Sequence, residues 1–205
     1  MTNNKFSIAL AIACLLPSAT AEAGAPAGFA APLISPPVID GQETTVDEWA
    51  GASQFTGWAD SILGVANADK TFVNIGHHQN TLYVRMVYPI PEKFRRNPVF
   101  YSDSPLKVDV SDNDGPIFQD DYLGFYLSHP ESQDVYLFGV NGTGAKRDSK
   151  NGDAEWNGRW QASQTWDRNF CRVEFSLPLS ASTGQSVWGI NFIHGARQVE
   201  SMESI

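Results

Sequence analysis

The 205 residues carry 42% hydrophobic and 12% aromatic side chains and a formal net charge of −9. That is enough apolar surface for one buried core, so a single folded domain is expected. An acidic balance with no Lys/Arg cluster excludes nucleic acid and anionic lipid surfaces as partners, because both require a basic stripe.

The chain opens on an export address. Lys5 is a short positive n-region, Phe6 to Leu16 an apolar h-region, and Ala21-Glu22-Ala23 a small-x-small cleavage site, so residues 1–23 read as a signal peptide removed before Gly24. Lipidation at Cys14 is the second reading, weakened by Ala11-Ile12-Ala13, which lacks a large aliphatic residue three positions upstream. Residues 24–37 are an Ala/Pro-rich leader whose prolines deny it regular hydrogen bonding. The expected domain runs over 38–205.

From Val38 onward, period-two alternation dominates. Asp40-Gly41 marks a turn, and Thr45 ahead of Val46-Asp47-Glu48-Trp49 predicts an N-capped short helix whose Trp49 plugs the core. Phe72 to His77 and Thr81 to Val87 predict a hairpin turning at Gln79-Asn80. Residues 88–106, with four prolines, read as loop, and Lys107 to Val110 as a short strand. The central feature is a second hairpin: Leu123, Phe125 and Leu127 share one face of the outgoing arm, and Tyr136, Phe138 and Val140 one face of the return. Ala145 to Asn157 is polar and glycine-dotted. Strands recur at Arg159 to Ser163, Phe170 to Leu177 and Ser186 to His194. About eight short strands with almost no helical period predict an all-β chain, an antiparallel β-sandwich of jelly-roll type.

The chemistry-bearing residues are sparse. There is no nucleophile elbow, phosphate loop or dinucleotide fingerprint. His77 and His78 are adjacent on a strand and point to opposite faces, so they do not share a metal. Asp120-Asp121 fails as a glycosidase pair on the same ground. Cys171, alternating with Val173 and Phe175, reads as a small buried hydrophobe, and no disulfide is expected. The turn Asp109 to Gly115 is rich in hard oxygen donors. Against an EF-hand register Asp112, Asp114 and Asp121 fall at ligand positions but Val110 occupies the first, so the expectation is an irregular calcium site at Asp112, Asp114 and Asp121 against a plain solvated turn.

Trp156, Trp160 and Trp166 fall in an otherwise polar stretch. A flat ring beside Asn, Asp and Arg suits a sugar, whose C–H face stacks on the ring while its hydroxyls find polar partners. Trp156, followed by Asn157-Gly158, is the leading ring and Trp58 the second, with Arg147, Asp148 and Asn151 as hydroxyl partners. Trp188, between Val187 and Gly189, is assigned to the core.

Five segments in order, PPVIDGQETTVDEWAGA, TLYVRMVY, QDDYLGFYLSHPESQDVYLFGVNGTGAKRD, FCRVEFSLPLSA and VWGINFIHGARQVES, resemble the carbohydrate-binding module family 9 type of sandwich, over about residue 37 to the end. The resemblance implies a non-catalytic sugar-binding domain, often with structural calcium and attached to a larger protein. It is nearest to exported proteins in which such a domain precedes an outer-membrane barrel, on the strength of Asp120-Asp121, Phe138-Gly139-Val140-Asn141, and Trp188-Gly189-Ile190-Asn191-Phe192 followed by Arg197 and Glu200. Periplasmic, outer-membrane-associated or secreted localisation and an envelope-protein partner follow as expectations. One departure stands out. Where sugar-binding members carry a tryptophan ahead of the central strand, this chain has Ile117-Phe118. The sequence, ending soon after Glu200, also reads as shortened at its C-terminus. Three readings result: a carbohydrate-binding module; a structural or interaction domain of the outer envelope; and, third, a haem-b sandwich using Met86 as an axial ligand.

Overall fold

The computed structural model describes residues 8–11, 31–33, 35–42, 48–56, 59–60, 71–90, 108–129, 132–167, 169–179 and 188–195. Alternation of apolar and polar side chains converts this sequence into twelve strands among those residues: β1 (Ile8–Ala11), β2 (Ala31–Pro32), β3 (Ser53–Phe55), β4 (Ala59–Asp60), β5 (Phe72–His78), β6 (Thr81–Pro89), β7 (Tyr122–Ser128), β8 (Val135–Asn141), β9 (Lys146–Lys150), β10 (Gln161–Trp166), β11 (Phe170–Pro178) and β12 (Gly189–Gly195). They form two sheets, ordered β4-β1-β12-β7-β8-β9 and β10-β11-β6-β5-β2, with β3 also on β5. All pairings are antiparallel except the short parallel contact of β2 with β5.

The sandwich closes around the inward positions the alternation selects. Leu123, Phe125 and Leu127 of β7 and Phe138 and Val140 of β8 meet Val84 and Met86 of β6 and Val173 and Phe175 of β11. Phe125 sits where the two sheets touch, with ring centroids 5.3 Å from Phe138, 5.1 Å from Phe175 and 6.3 Å from Phe192. Met86 is 0% exposed in this cluster, a packing side chain with no open face for an iron. Cys171 is a free buried thiol whose pKa burial pushes up to about 12, so it is inert as a nucleophile. On the other face of the first sheet Gly124 opposes Gly139, and a Cβ at Gly124 would collide with the carbonyl oxygen of Phe138. The 3-10 turn Ile117–Gln119 uses this thinned surface: Phe118 lies over Gly139 and edge-on to Tyr122 at 4.8 Å.

The N-terminal arm covers the outer face of the second sheet. Leu33, Trp49 and Tyr83 form a small second core there. The arm is pinned by Glu174, 1% exposed, which accepts hydrogen bonds from the Gly41 amide at 2.9 Å, the Asp40 amide at 3.2 Å and Trp49 Nε1 at 3.2 Å. Gly41 stands at φ +77°, and a Cβ on it would lie 2.9 Å from the Thr165 methyl, so both conformation and space require glycine. Trp49 does plug a core, but this outer one. Of the expected helix, the described part from Glu48 is a turn and Thr45 lies outside the described residues.

Burial raises the Glu174 pKa to about 7 against the three donors that lower it. Because this folded-state value exceeds the ordinary 4.5, the native chain holds that proton more tightly than the unfolded one. The resulting stability is complete below the ordinary value and is lost as pH rises through about 7. Thermal melts between pH 5 and 8 are expected to fall more steeply for the wild type than for Glu174→Gln. Parallel slopes would contradict the assignment.

Candidate functional site

At one margin of the sandwich, β8, β9 and the segment after β9 bring four aromatic rings into a row. The cause is local. β9 pairs Lys150 with Tyr136 and Asp148 with Phe138, and then the chain reverses at Asn151-Gly152, with φ of 54° and 84°. Two successive left-handed residues of the Asn-Gly type make the turn that suits a tight antiparallel return. Lys150 and Asp153 exchange backbone hydrogen bonds across it, at 3.2 and 2.9 Å. Residues 154–160 then fold back over β8.

Trp156 packs on Tyr136 at 5.3 Å and on Phe138 at 6.2 Å. Tyr136 is in turn 6.2 Å from Trp188, which meets His129 edge-on at 4.5 Å. Tyr136, Trp156 and Trp188 are each half-buried, with one side on the core and the remainder open. Gly158 allows the chain to cross the Trp156 ring, since a Cβ there would lie 2.5 Å from its Cη2.

Beside the rings lies a preformed polar network centred on Asp134. Its carboxylate accepts from Asn151 Nδ2 at 2.9 Å and from the Tyr136 hydroxyl at 3.3 Å, and pairs with Lys150 Nζ at 3.0 Å. The Asn151 amide first, then the Lys150 ammonium, hold the Asp134 pKa down at about 2, while Asp134 raises that of Lys150. Asp134 is therefore ionised and acts as an acceptor. The Lys150 ammonium stands 5.5 Å from the Tyr136 ring centre. The arrangement offers half-buried aromatic faces, tilted to one another by 54° and 49°, edged by donors and an acceptor that suit a sugar ring. Among the described residues the carboxyl with a raised pKa is Glu174, which is sealed under the arm on the other sheet, away from these rings.

The sequence-derived residues divide. Trp156 and Asn151 belong to this site. Asn151 is also committed to structure, since its Oδ1 accepts the Val135 amide at 2.8 Å. Asp148 is buried and points toward the interior, where its Oδ2 accepts from the Gly158 amide at 2.7 Å and from Trp160 Nε1 at 2.9 Å, so it braces the loop instead of meeting a ligand. Arg147 lies on the opposite face of β9, donating to the carbonyls of Gly115 at 2.9 Å and Asp114 at 3.4 Å. Trp58 lies outside the described residues. Trp166, at 37% exposed, is the most open described tryptophan but stands apart at the end of β10. Sequence reasoning missed Asp134, Tyr136, Lys150 and Trp188. Asp134 and Tyr136, two apart along one strand face, were the signal available.

Asp112 and Asp114 are exposed in their turn, while Asp121 is buried at the start of β7. Among the described residues no three His, Cys, Asp or Glu side chains converge in a way that would hold a metal ion. Asp120, beside the turn, is a fully buried acceptor. Its Oδ2 takes the Val110 amide and Asn141 Nδ2, both at 2.8 Å, and its Oδ1 has no hydrogen-bond partner. One such oxygen falls well short of the six to eight that calcium takes, so these residues do not fit that ion.

No family model and no curated protein sequence matches the chain. Solved structures do resemble it. A carbohydrate-binding module family 9 domain from Caldicellulosiruptor kristjanssonii in complex with cellotriose has a TM-score of 0.50 at 16% identity, over 78% of this chain and 80% of that one. The glucose complex from the same organism gives 0.47 at 16%, over 78% and 82%. A Bacteroides uniformis protein assigned as carbohydrate-binding gives 0.48 at 12%, over 64% of this chain and just under two-thirds, 66%, of that one. Likeness at this level of identity concerns the fold alone: the chain shares the two-sheet β-sandwich fold of the cellotriose-bound Caldicellulosiruptor kristjanssonii domain.

Proposed function

We infer that this protein is a non-catalytic carbohydrate-binding domain of an exported protein, and that Trp156, Tyr136 and Trp188 form its stacking surface, with Asp134, Lys150 and Asn151 as hydroxyl partners. The observation that carries the reading is the continuous row of half-buried rings beside an ionised carboxylate held in place by three donors. Resemblance to a fold whose solved members hold cellotriose and glucose supports a neutral glycan as the first ligand to try. The export address supports a periplasmic, outer-membrane-associated or secreted location, with an envelope protein as neighbour.

Stacking on a half-exposed ring contributes about 1 kcal/mol, so binding should be weak, in the micromolar to millimolar range. Calorimetric titration with the best ligand from a glycan array is expected to show about a fivefold loss of affinity in Trp156→Ala. Trp166→Ala should bind as the wild type does. Equal affinities for all three proteins would remove Trp156 from the site. An array with no bound glycan would favour the structural envelope role.

A further inference from the structure

The outer edge of β12 is built to be covered. Along Gly189–Gly195 there is no Lys, Arg, Asp, Glu or Pro, and these are the residues that protect an exposed sheet edge from pairing with another chain. The opposite side of the same sheet shows the contrast, because β9 carries Lys146, Arg147, Asp148 and Lys150 within five residues. In this structure the cover is β1, whose Ile8, Ala9, Leu10 and Ala11 pair antiparallel with Gly195, His194, Ile193 and Phe192. β4 then lies against β1, not against β12. Yet Ile8–Ala11 falls inside the segment that reads as a removable signal peptide.

We propose that the edge of β12 is a strand-docking site, filled by the signal segment in the precursor and, once residues 1–23 are removed, by β12 of a second copy of this chain. The proposal rests on the export reading of residues 1–23 and is independent of sugar binding. The occupant has to resemble β1, a short strand running antiparallel without Lys, Arg, Asp, Glu or Pro, and another β12 meets those requirements. Two β12 edges related by a two-fold axis pair Phe192 with Gly195 and Ile193 with His194 of the other copy, the same four positions that β1 covers. The sheets of the two copies then become continuous, in an isologous interface that closes on itself. The segment after β12, AlaArgGlnValGluSerMetGluSerIle at 196–205, is the rival occupant. It carries three charges and no apolar alternation with which to continue the sheet over the core.

The test compares residues 1–205, produced without export, with the processed chain 24–205, by analytical ultracentrifugation and by hydrogen exchange at Phe192 to Gly195. The precursor is expected to be a monomer, and the processed chain a dimer with those amides protected. A peptide spanning residues 6–13 should convert that dimer to monomer, while the same peptide with proline at position 10 should not. A processed chain that stays monomeric at all concentrations overturns the proposal, whether residues 192–195 exchange freely or are protected by 196–205. A precursor that dimerises equally well also overturns it, because the pairing would then not use this edge.

Discussion

Replacing Phe125 with alanine is expected to destabilise the protein by about 3–5 kcal/mol, the largest effect of any single truncation in the core. Phe125 belongs to β7 in one sheet and contacts Phe175 of the other at 5.1 Å, while also touching Phe138 and Phe192 on its own. Removing the ring therefore opens a void bounded by aromatic groups held in separate strands, which have little freedom to collapse into it. Since a domain of this kind has only about 5–15 kcal/mol of net stability, a sizeable part is lost. Urea denaturation followed by tryptophan fluorescence should show the midpoint shift. Phe125→Leu, which keeps most of the volume, should show less. A loss below about 1 kcal/mol would mean that the sheets are not packed through this residue.

Asp148→Ala should act on stability and binding together. Its carboxylate oxygen accepts two donors, the Gly158 amide and the Trp160 indole, in a buried setting. Removing the acceptor leaves both donors unsatisfied, at about 1–3 kcal/mol for each buried group so stranded. Residues 156–160 lose the brace that presents Trp156, so glycan affinity should fall as well, although Asp148 touches no ligand. Had Asp148 been an exposed hydroxyl partner, as its sequence position suggests, Ala would lower binding and cost little stability. Denaturation and titration of the same variant separate the two roles.

The β7–β8 and β5–β6 hairpins were legible because their inward positions alternate without a break and their turns contain no apolar residue. β9 was not. Lys146, Arg147, Asp148, Ser149 and Lys150 give no apolar signal, since an edge strand is protected by charge and contributes little to the core. Without β9 the cross-strand pairing of Lys150 with Tyr136 was invisible, and with it the polar half of the site. Val108 to Val110 look like a strand by composition but form none; the Val110 amide donates to Asp120 instead of to a ladder. Trp188 packs against the core as its sequence neighbourhood suggests, but it precedes β12 at the margin of the sandwich and is only partly buried. Asp112, Asp114 and Asp121 share a composition that suits calcium, but alternation sends Asp121 inward and away from the turn. Local pattern set the strands; which side chains meet across the margin depended on register, which no single strand encodes.

The six tryptophans supply their own reporters. In a heteronuclear NMR titration of the purified protein with the best-binding oligosaccharide, the indole N–H signals of Trp156 and Trp188 are expected to shift along a single saturating curve. Those of Trp49, bonded to Glu174 under the arm, and of Trp160, bonded to Asp148, should move little. Saturating shifts confined to Trp49 or Trp166, or cleavage of the oligosaccharide during the titration, would contradict a binding shelf built on Tyr136, Trp156 and Trp188.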